Sequence, residues 1–404
     1  MAQYAVLAVN AGSSSLKAAV YDVGEGVAPR LLGRIHLDRT SGHATTRGAG
    51  GETQQHPGPA SGRLPSWLLE LTEAMLDGRS LAAVGHRVVH GGRVFREPTI
   101  VTPEVLEALS ALALLAPLHQ PDNLSAIGAL RRAHPHLPQV ACFDTAFHRT
   151  IDPLAARFAL PRALHDEGIR RYGFHGLSYN YVARRLGEVD PELAQGRVIA
   201  AHLGAGASLC AMAAGRSVDT SMGFSALDGL MMSTRCGTLD PGVVLHLIQQ
   251  KGMCAAEVED LLYRRSGLLG VSGLSADVRD LLSSDDPAAR EAIELYGFRA
   301  AREAGALAAS LGGLDGLVFT GGVGEHAPEI RARIVTRLAW LGAAVDETAN
   351  AAAIEGLISP AGSAFRIWVI PTDEEQVMAE QTVRALGPSL FDPGQGGEAP
   401  GRAR

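Results

Sequence analysis

Residues 7–20, LAVNAGSSSLKAAV, join two apolar runs through a short polar turn that holds one glycine and three serines. Residues 199–212, IAAHLGAGASLCAM, have the same arrangement and lie about half a chain length further on. This similarity indicates a duplicated α/β unit in which each half presents one hairpin turn to a shared cleft. Two ordinary glycine-containing turns would produce the same pattern, and from these stretches alone that explanation is slightly favoured.

Strand-like runs rich in valine and isoleucine alternate with amphipathic segments of helical length along the whole chain. This alternation predicts an α/β fold. The predicted strands are 4–9, 16–23, 83–89, 140–147, 198–203, 208–213, 317–320 and 366–370. The predicted helices are 66–76, 103–115, 179–186, 287–311, 327–341 and 373–386. Residues 40–64, which are poor in apolar side chains, and the tail 387–404 are expected to be flexible.

The composition excludes several functional classes. The 404 residues carry 34 arginines and two lysines against 43 acidic residues, and a net charge of −7 argues against sequence-independent nucleic-acid binding. The four cysteines form no Cys-x-x-Cys pair, so neither a zinc site nor a disulfide framework is indicated. No basic leader and no apolar run of membrane-spanning length is evident, and we expect a cytoplasmic protein without membrane partners.

The first turn has the composition of a phosphate-binding hairpin. Glycine allows close approach of a ligand, serine hydroxyls and backbone N–H groups can surround phosphate oxygens, and Lys17 can supply a positive charge. The segment lacks the P-loop spacing, and a simple polar hairpin remains the alternative. Three consecutive serines beside one of only two lysines favour phosphate modestly.

Arg87 and Asp144 each stand where a predicted strand ends. Arg87 lies beside glycines in GHRVVHGG, and its guanidinium can grip a carboxylate or a phosphate with two hydrogen bonds. Asp144 follows its strand directly, a position where α/β folds place ligand-binding groups, although a cap or turn role is equally probable from spacing. His86 and His90 are about 13 Å apart on an extended strand, so packed or surface histidines are favoured over a metal pair.

Five further segments invite a functional interpretation. Residues 170–176 and 219–237 are aperiodic and punctuated by glycine, which is typical of functional loops. Ser275 is predicted to cap a helix that has Asp277 in its first turn, and TGGVGEH at 320–326 is a glycine loop between a strand and a helix. Near 374, a capping role is the default for Glu375, and Mg²⁺ binding is the sharper hypothesis for Glu374.

Taken in order, eleven segments resemble the acetate kinase family of acyl-phosphate-forming kinases, from Tyr4 to about Leu386. They are NAGSSSLK, GHRVVHGG, APLH, FDTAFH, RRYGFHG, HLGAGAS, DTSMGF, STRCGTLDP, GVSGLS, FTGGVGEH and PTDEE. The resemblance implies duplicated ribonuclease-H-like domains of the actin and sugar-kinase type, with a nucleotide cleft between them. It implies a first domain over 1–147 joined by the C-terminal helix 375–386, a nucleotide-binding domain over 148–374, and a flexible tail over 387–404.

The resemblance also implies reversible transfer of the ATP γ-phosphoryl group to acetate by a homodimer that uses Mg²⁺, with Mn²⁺ as a possible substitute. The implied catalytic residues are Asp144, His175 and Arg235, and the implied metal ligands are Asn10 and Glu374. Acetate would be bound by Arg87, Val89, Leu118, His119 and Phe174. ATP would be bound by Ser13, Ser15, Lys17, His202, Leu203, Gly204, Ala205, Gly206, Asp277, Val278, Arg279, Gly322, Val323, Gly324, Glu325 and His326.

Four positions depart from the family pattern. The family usually has Asn at 205 and 326, His at 179 and Pro at 226, where this chain has Ala205, His326, Tyr179 and Ala226. Loss of an amide at 205 leaves a nucleotide-binding regulator or pseudokinase as an alternative. Loss of the proline ring at 226 leaves a propionate or butyrate kinase as another. None of the implied charged catalytic positions is lost, so we expect an active enzyme.

Overall fold

The computed structural model describes residues 3–12, 15–24, 27–117, 119–387 and 391. The chain divides into two compact units, of which the first comprises Met1–Ala146 with Asp373–Arg404 and the second Phe147–Thr372. Along the described residues, no helix combines the length and the apolar character that a bilayer crossing needs.

Within the described residues, fourteen strands and fifteen α-helices are defined, together with three short 3₁₀ segments. The strands are β1 Tyr4–Ala11, β2 Ser15–Gly24, β3 Val27–Asp38, β4 His43–Gly48, β5 Thr53–Pro57, β6 Ser80–Val88, β7 Thr99–Ile100, β8 Gln139–Phe143, β9 Arg197–Leu203, β10 Ala207–Ala213, β11 Arg216–Thr220, β12 Gly316–Thr320, β13 Gly356–Leu357 and β14 Arg366–Val369. The helices are α1 Leu64–Glu73, α2 Pro103–Ala111, α3 Gln120–Ala133, α4 Arg162–Asp166, α5 Gly176–Val189, α6 Pro191–Ala194, α7 Pro241–Gln249, α8 Ala255–Arg264, α9 Gly267–Ser272, α10 Val278–Leu282, α11 Pro287–Leu311, α12 Gly321–His326, α13 Pro328–Arg337, α14 Glu347–Ala352 and α15 Glu374–Leu386. The 3₁₀ segments are Ala113–Leu115, Ala146–Thr150 and Ala339–Leu341.

Each unit is built on one sheet, and the two sheets share a strand order. The first runs β5-β4-β3-β2-β1-β6-β8-β7 and the second β11-β10-β9-β12-β14-β13. In the first sheet, β1 pairs antiparallel with β2 and parallel with β6. In the second, β9 pairs antiparallel with β10 and parallel with β12. The two stretches that open the sequence analysis therefore occupy equivalent hairpins, and the prediction of a duplicated α/β architecture is confirmed.

Burial explains why β1 is central to its sheet. Five consecutive residues, from Ala5 to Val9, are at most 1% exposed, which is the pattern of a strand covered on both faces. The side chains on one face of β1 share an apolar cluster with Leu68 and Leu69 of α1 and with Ile35 of β3. The strand's apolar character thus fixes its place before any ligand is considered.

The expectation that residues 40–64 are flexible is wrong for residues 43–48 and 53–57, which form two strands. The strands β4 and β5 extend the first sheet at its edge, and Thr45 donates a hydrogen bond to Gln55 while Thr46 pairs with His56 at 2.8 Å. Most of these side chains are exposed. An edge ribbon held by its backbone ladder and by polar cross-strand pairs needs few apolar residues, which is why its composition resembles that of a loop.

Helix α15 packs across the first sheet, although its sequence follows the second unit. Asp373 caps it by accepting a hydrogen bond from the Gln376 backbone N–H, so neither Glu374 nor Glu375 is the capping residue. A Cβ on Gly85 would lie 2.3 Å from the Thr382 hydroxyl oxygen, so that close packing of the helix on β6 requires glycine. The C-terminal part of the first unit therefore begins at Asp373, two residues before the start expected at 375. Of the tail 387–404, only Gly387 and Phe391 lie among the described residues.

The buried His148 couples the second unit's stability to pH. Its Nε2 lies 2.8 Å from the Phe174 carbonyl oxygen and its Nδ1 lies 2.9 Å from the Ser217 hydroxyl. Burial lowers the pKa of His148 from 6.5 to about 4. Because the unfolded chain then binds the proton first, the free energy of unfolding falls as pH drops from about 6.5 towards about 4.

We expect His148→Gln, which keeps a donor for the Phe174 carbonyl, to remove part of this pH dependence. A single group with this shift accounts for about 2 kcal/mol of stability lost between pH 7 and pH 5. Urea unfolding at the two pH values measures the slope. His134→Gln, on an exposed histidine, is the control. Equal slopes for H148Q and the wild type would contradict the assignment.

Candidate active site

The first hairpin places Asn10 beside Lys17. The two residues are directly opposite each other in the β1–β2 ladder, and the Lys17 side chain is exposed. Ser15 is the first residue of β2, and its carbonyl accepts a hydrogen bond from the Gly12 N–H at 2.8 Å. Ser13 lies outside the described residues. The arrangement leaves an ammonium group and an amide on adjacent strands at one turn.

The half-buried Arg87 and the buried Asp144 form an ion pair at the ends of two parallel strands. Arg87 is the penultimate residue of β6, and Asp144 directly follows β8 and donates its N–H to the Val88 carbonyl oxygen. The Arg87 Nη2 lies 2.6 Å from Asp144 Oδ2, and Nε lies 3.0 and 3.2 Å from the two carboxylate oxygens. Asp144 is fully buried. Its carboxylate therefore fixes the guanidinium in one orientation.

The ion pair continues into a cluster with Asn10 and Glu374. Arg87 Nη1 donates to Asn10 Oδ1 at 3.2 Å, the Asn10 amide donates to Glu374 Oε2 at 3.3 Å, and Arg87 Nη1 lies 4.0 Å from the same carboxylate oxygen. Burial alone would lower the pKa of Arg87, but the charges of Asp144 and Glu374 outweigh burial and raise it. The guanidinium is thus permanently charged and faces two carboxylates.

Two buried amides that the sequence analysis missed secure this region. Asn123 of α3 donates to the Ala11 carbonyl oxygen at 2.6 Å and accepts from the Val89 N–H at 3.1 Å, which ties the end of β1 to the end of β6. Gln120 bonds both backbone groups of His90. The available signal was weak, because polar residues at the start of a helix are usually solvated caps.

The residues implied for the acetate pocket are placed only in part. Val89 is 5% exposed, His119 precedes α3 at its cap position, and Leu118 lies outside the described residues. Phe174 is buried in the second unit. His86 and His90 are both buried, as the packed interpretation expects, and burial lowers the pKa of each to about 4.

The second unit brings His175, Arg235 and Gly206 together. A Cβ on Gly206 would lie 2.7 Å from Arg235 Nη2 and 3.2 Å from His175 Nε2. His175 adopts left-handed backbone angles, with φ 57°, at the start of α5. Its ring stacks on His202 with centroids 4.3 Å apart, and Arg235 is anchored by donation from Nη1 to the Ala226 carbonyl oxygen at 2.6 Å. A guanidinium and an imidazole therefore meet over one glycine.

The hairpin between β9 and β10 packs on the start of α12. Leu203 pairs with Ala207, the Gly204 N–H donates to the Gly206 carbonyl oxygen at 3.0 Å, and Ala205 at the tip is exposed. Gly321, with φ 76°, approaches so closely that a Cβ would lie 2.8 Å from the Leu203 carbonyl oxygen. This contact brings the hairpin next to the segment from Gly322 to His326.

The segment predicted as a glycine loop is a short helix. Residues Gly321–His326 form α12, within which Val323 and Gly324 lie, and α13 follows from Pro328. Glu325 accepts hydrogen bonds from the Gly321 N–H at 2.8 Å and from the Thr372 N–H at 3.1 Å, so its carboxylate has a structural use. The His326 side chain is 77% exposed.

The predicted cap at Ser275 is wrong. Asp277 is the capping residue of α10 and accepts from the Arg279 N–H at 2.8 Å, while Ser275 instead accepts from the Asp277 N–H. Arg279 forms its ion pair with Asp277, and Val278 is buried. Over the parts of the chain that are described, no hydrogen bond or ion pair joins Asp277 or Arg279 to the hairpin of Gly204–Gly206, so their contact with ATP stays a prediction.

The similarity of this chain to known proteins extends over nearly its whole length. A sequence model of the Acetokinase family matches residues 5–380. The chain belongs to the acetokinase family. It is 54% identical to an acetate kinase of Rhodopseudomonas palustris over 391 residues, which cover 94% of this chain and 98% of that protein. It is 49% identical to an acetate kinase of Methylocella silvestris, with the same two coverages.

Solved structures agree with this membership of the acetokinase family. The crystal structure of Porphyromonas gingivalis acetate kinase matches with a TM-score of 0.83 at 35% identity and covers 96% of this chain and 100% of that one. A propionate kinase from Francisella tularensis matches with a TM-score of 0.85 at 34% identity, and the coverages are 94% and 99%. The fold is therefore common to kinases named for either acid.

We expect Asp144→Asn to lower kcat by about 100-fold or more, because the amide keeps the size of the side chain but leaves the Arg87 charge uncompensated and misdirected. Steady-state kinetics at saturating Mg²⁺ measures the effect. Asp315→Asn is the control, since Asp315 forms a similar ion pair with Arg197 outside the proposed site. There, Arg197 Nη2 and Nε lie 2.6 and 2.9 Å from the two Asp315 carboxylate oxygens. Nearly unchanged turnover of D144N would remove Asp144 from the site.

A methyl group at residue 206 tests the second cluster. We expect Gly206→Ala to displace the Arg235 guanidinium and to reduce kcat by about 10-fold to 100-fold, since positioning errors near 1 Å have effects of this size. Gly187→Ala is the control, because no atom lies within 4 Å of the added Cβ in α5. Wild-type kinetics of G206A would show that the contact has no catalytic importance.

Proposed function

We propose that this protein is an acetate kinase, which transfers the γ-phosphoryl group of ATP reversibly and directly to acetate, giving acetyl phosphate and ADP. The observation that carries this assignment is the ion pair of Arg87 with the buried Asp144, within the cluster that contains Asn10 and Glu374. It presents a rigidly oriented cation, as recognition of a carboxylate or phosphoryl group requires. Relatives that match the chain over almost its whole length are acetate kinases.

Phosphoryl transfer requires charge neutralisation and alignment of the reactants more than it requires a covalent intermediate with the enzyme. Phosphoryl transfer passes through a transition state whose charge is spread over the transferred group, and fixed cations and N–H donors stabilise it. Arg87 and Arg235 would bind the carboxylate and the migrating phosphoryl group, and His175 would stabilise the transition state. Lys17 would face the nucleotide phosphates. These roles follow the family resemblance and agree with the residue types.

Asp144 has a positioning role in this proposal. Acetate is ionised at neutral pH because carboxyl pKa values lie near 4, so no general base is needed to activate it. Asp144 instead makes three hydrogen bonds with Arg87. We assign to Asp144 the orientation of the Arg87 guanidinium, which in turn contacts Asn10 and faces Glu374.

The residues at Asn10 and Glu374 suit Mg²⁺. They offer an amide oxygen and a carboxylate within one hydrogen-bonded cluster, and Mg²⁺ prefers such oxygen ligands while keeping waters and phosphate oxygens for its remaining positions. The described residues contain no group of three or more His, Cys, Asp or Glu side chains that could hold a metal. Bound Mg²⁺ would neutralise phosphate charge, and Mn²⁺ could substitute through the same ligands.

Acid preference and oligomeric state remain predictions of the family resemblance. Ala226 provides less volume than the proline usual in the family, which favours easier entry of propionate, and one structurally similar protein is a propionate kinase. The charged positions at Arg87, Asp144 and Arg235 are all retained, which argues against a pseudokinase despite Ala205. A homodimer in the cytoplasm is the expected state of the enzyme.

We expect acetate to give the highest kcat/KM among acetate, propionate and butyrate when the acyl phosphate is trapped as its hydroxamate with ATP and Mg²⁺. Ala226→Pro should favour acetate over propionate about tenfold more than the wild type does, because one methylene contributes about 1–3 kcal/mol to discrimination. Reactions without acid or without Mg²⁺ are the controls. A higher kcat/KM for propionate or butyrate would reassign the substrate, and no hydroxamate from any acid would reject a kinase.

A further inference from the structure

A line of buried hydrogen bonds runs from α5 to the ring of His175. The Tyr179 hydroxyl lies 2.5 Å from the Ser208 Oγ, and the Ser208 Oγ lies 2.8 Å from His175 Nδ1. Tyr179 and Ser208 are both 0% exposed. All three residues belong to the second unit.

The direction of this chain follows from the donor strength of its two hydroxyls. A phenol is more acidic than an aliphatic alcohol and is the weaker acceptor, so the Tyr179 proton is directed to the Ser208 oxygen. Ser208 then uses its one proton towards Nδ1 of His175. An Nδ1 that accepts a hydrogen bond carries no proton in the neutral ring, so the ring proton resides on Nε2.

Nε2, on the other side of the His175 ring, is the atom that could donate a hydrogen bond to a bound phosphoryl group. His175 Nε2 faces the Gly206 and Arg235 cluster described above. The titratable or charged neighbours from other elements are Arg235, the stacked His202, His148 at 5.6 Å from the Tyr179 ring, and Cys210. A positive charge on His175 would be repelled by Arg235, which favours the neutral ring.

We propose that Tyr179 and Ser208 are positioning residues that keep His175 neutral with its proton on Nε2, so that it presents an N–H donor to the migrating phosphoryl group. The inference rests on the proposed kinase function. Tyr179 suits the task because burial raises its pKa well above the ordinary value, with a further increase from Cys210, so its hydroxyl stays protonated. A histidine, usual here in the family, exists in two tautomers and can itself become charged.

The test combines kinetics with nitrogen NMR of the full-length protein. Tyr179→Phe and Ser208→Ala each break the chain, and His175→Gln identifies the His175 signals by their loss. In the wild type we expect ¹⁵N shifts of an Nε2–H tautomer. In both variants we expect a mixture of tautomers, a higher titration midpoint for His175, and kcat about tenfold lower with the KM values for ATP and acetate within twofold.

Tyr296→Phe is the matched control. Tyr296 is a buried tyrosine of the same unit whose hydroxyl has no hydrogen-bond partner among the described residues, so its loss should leave both readouts unchanged. Unchanged His175 shifts and midpoint in Y179F and S208A would overturn the proposal, even if kcat falls, because a purely structural role leaves the tautomer alone. Failure of the wild type to phosphorylate any short acid would reject the function, while the NMR result would still decide the tautomer.

Discussion

The ion pair between Arg87 and Asp144 is the interaction on which the proposed chemistry of the first unit depends. A buried carboxylate without its cation would be strongly destabilising, and a guanidinium without its carboxylate would lose its direction. The pair exists only because two parallel strands end side by side, with their last residues tied by a backbone hydrogen bond. Asn123 then fixes the neighbouring ends of β1 and β6. The sheet thus serves as a rigid frame that converts strand register into the position of one positive charge.

The second unit solves a similar problem with a neutral network. Its hairpin carries Gly206 where a Cβ would lie too close to Arg235 and His175, so the close packing of these two side chains on the hairpin requires glycine. Behind the imidazole, the buried hydroxyls of Tyr179 and Ser208 form a line of hydrogen bonds that ends at His175 Nδ1. One half therefore orients a cation through a counter-ion, and the other orients a donor through uncharged groups. Both devices avoid solvent reorganisation during the reaction, which is the main physical advantage of a preorganised site.

Much of the fold could be predicted because apolar periodicity reports burial directly. All eight predicted strands exist, and α11 has the predicted bounds. The polar ribbon of β4 and β5 escaped because cross-strand pairing at a sheet edge leaves almost no apolar signal. The cap of α10 was misplaced by two residues, since Ser275 and Asp277 are both good caps and only the backbone angles distinguish them. Gln120 and Asn123 were not predicted, because the burial of a polar residue depends on packing by segments that are far away in the sequence.

The sequence by itself determined the duplicated α/β architecture, the family and the identity of the charged residues, because apolar spacing and ordered motifs are local properties of the chain. Only the tertiary structure decided which of those residues meet. That Arg87 faces Asp144 and Asn10, that α15 returns to the first sheet, and that Tyr179 reaches His175 through Ser208 all depend on strand register and packing between segments far apart in sequence. Hydrogen bonds act over about 3 Å, and no local pattern encodes a distance of that size between remote side chains.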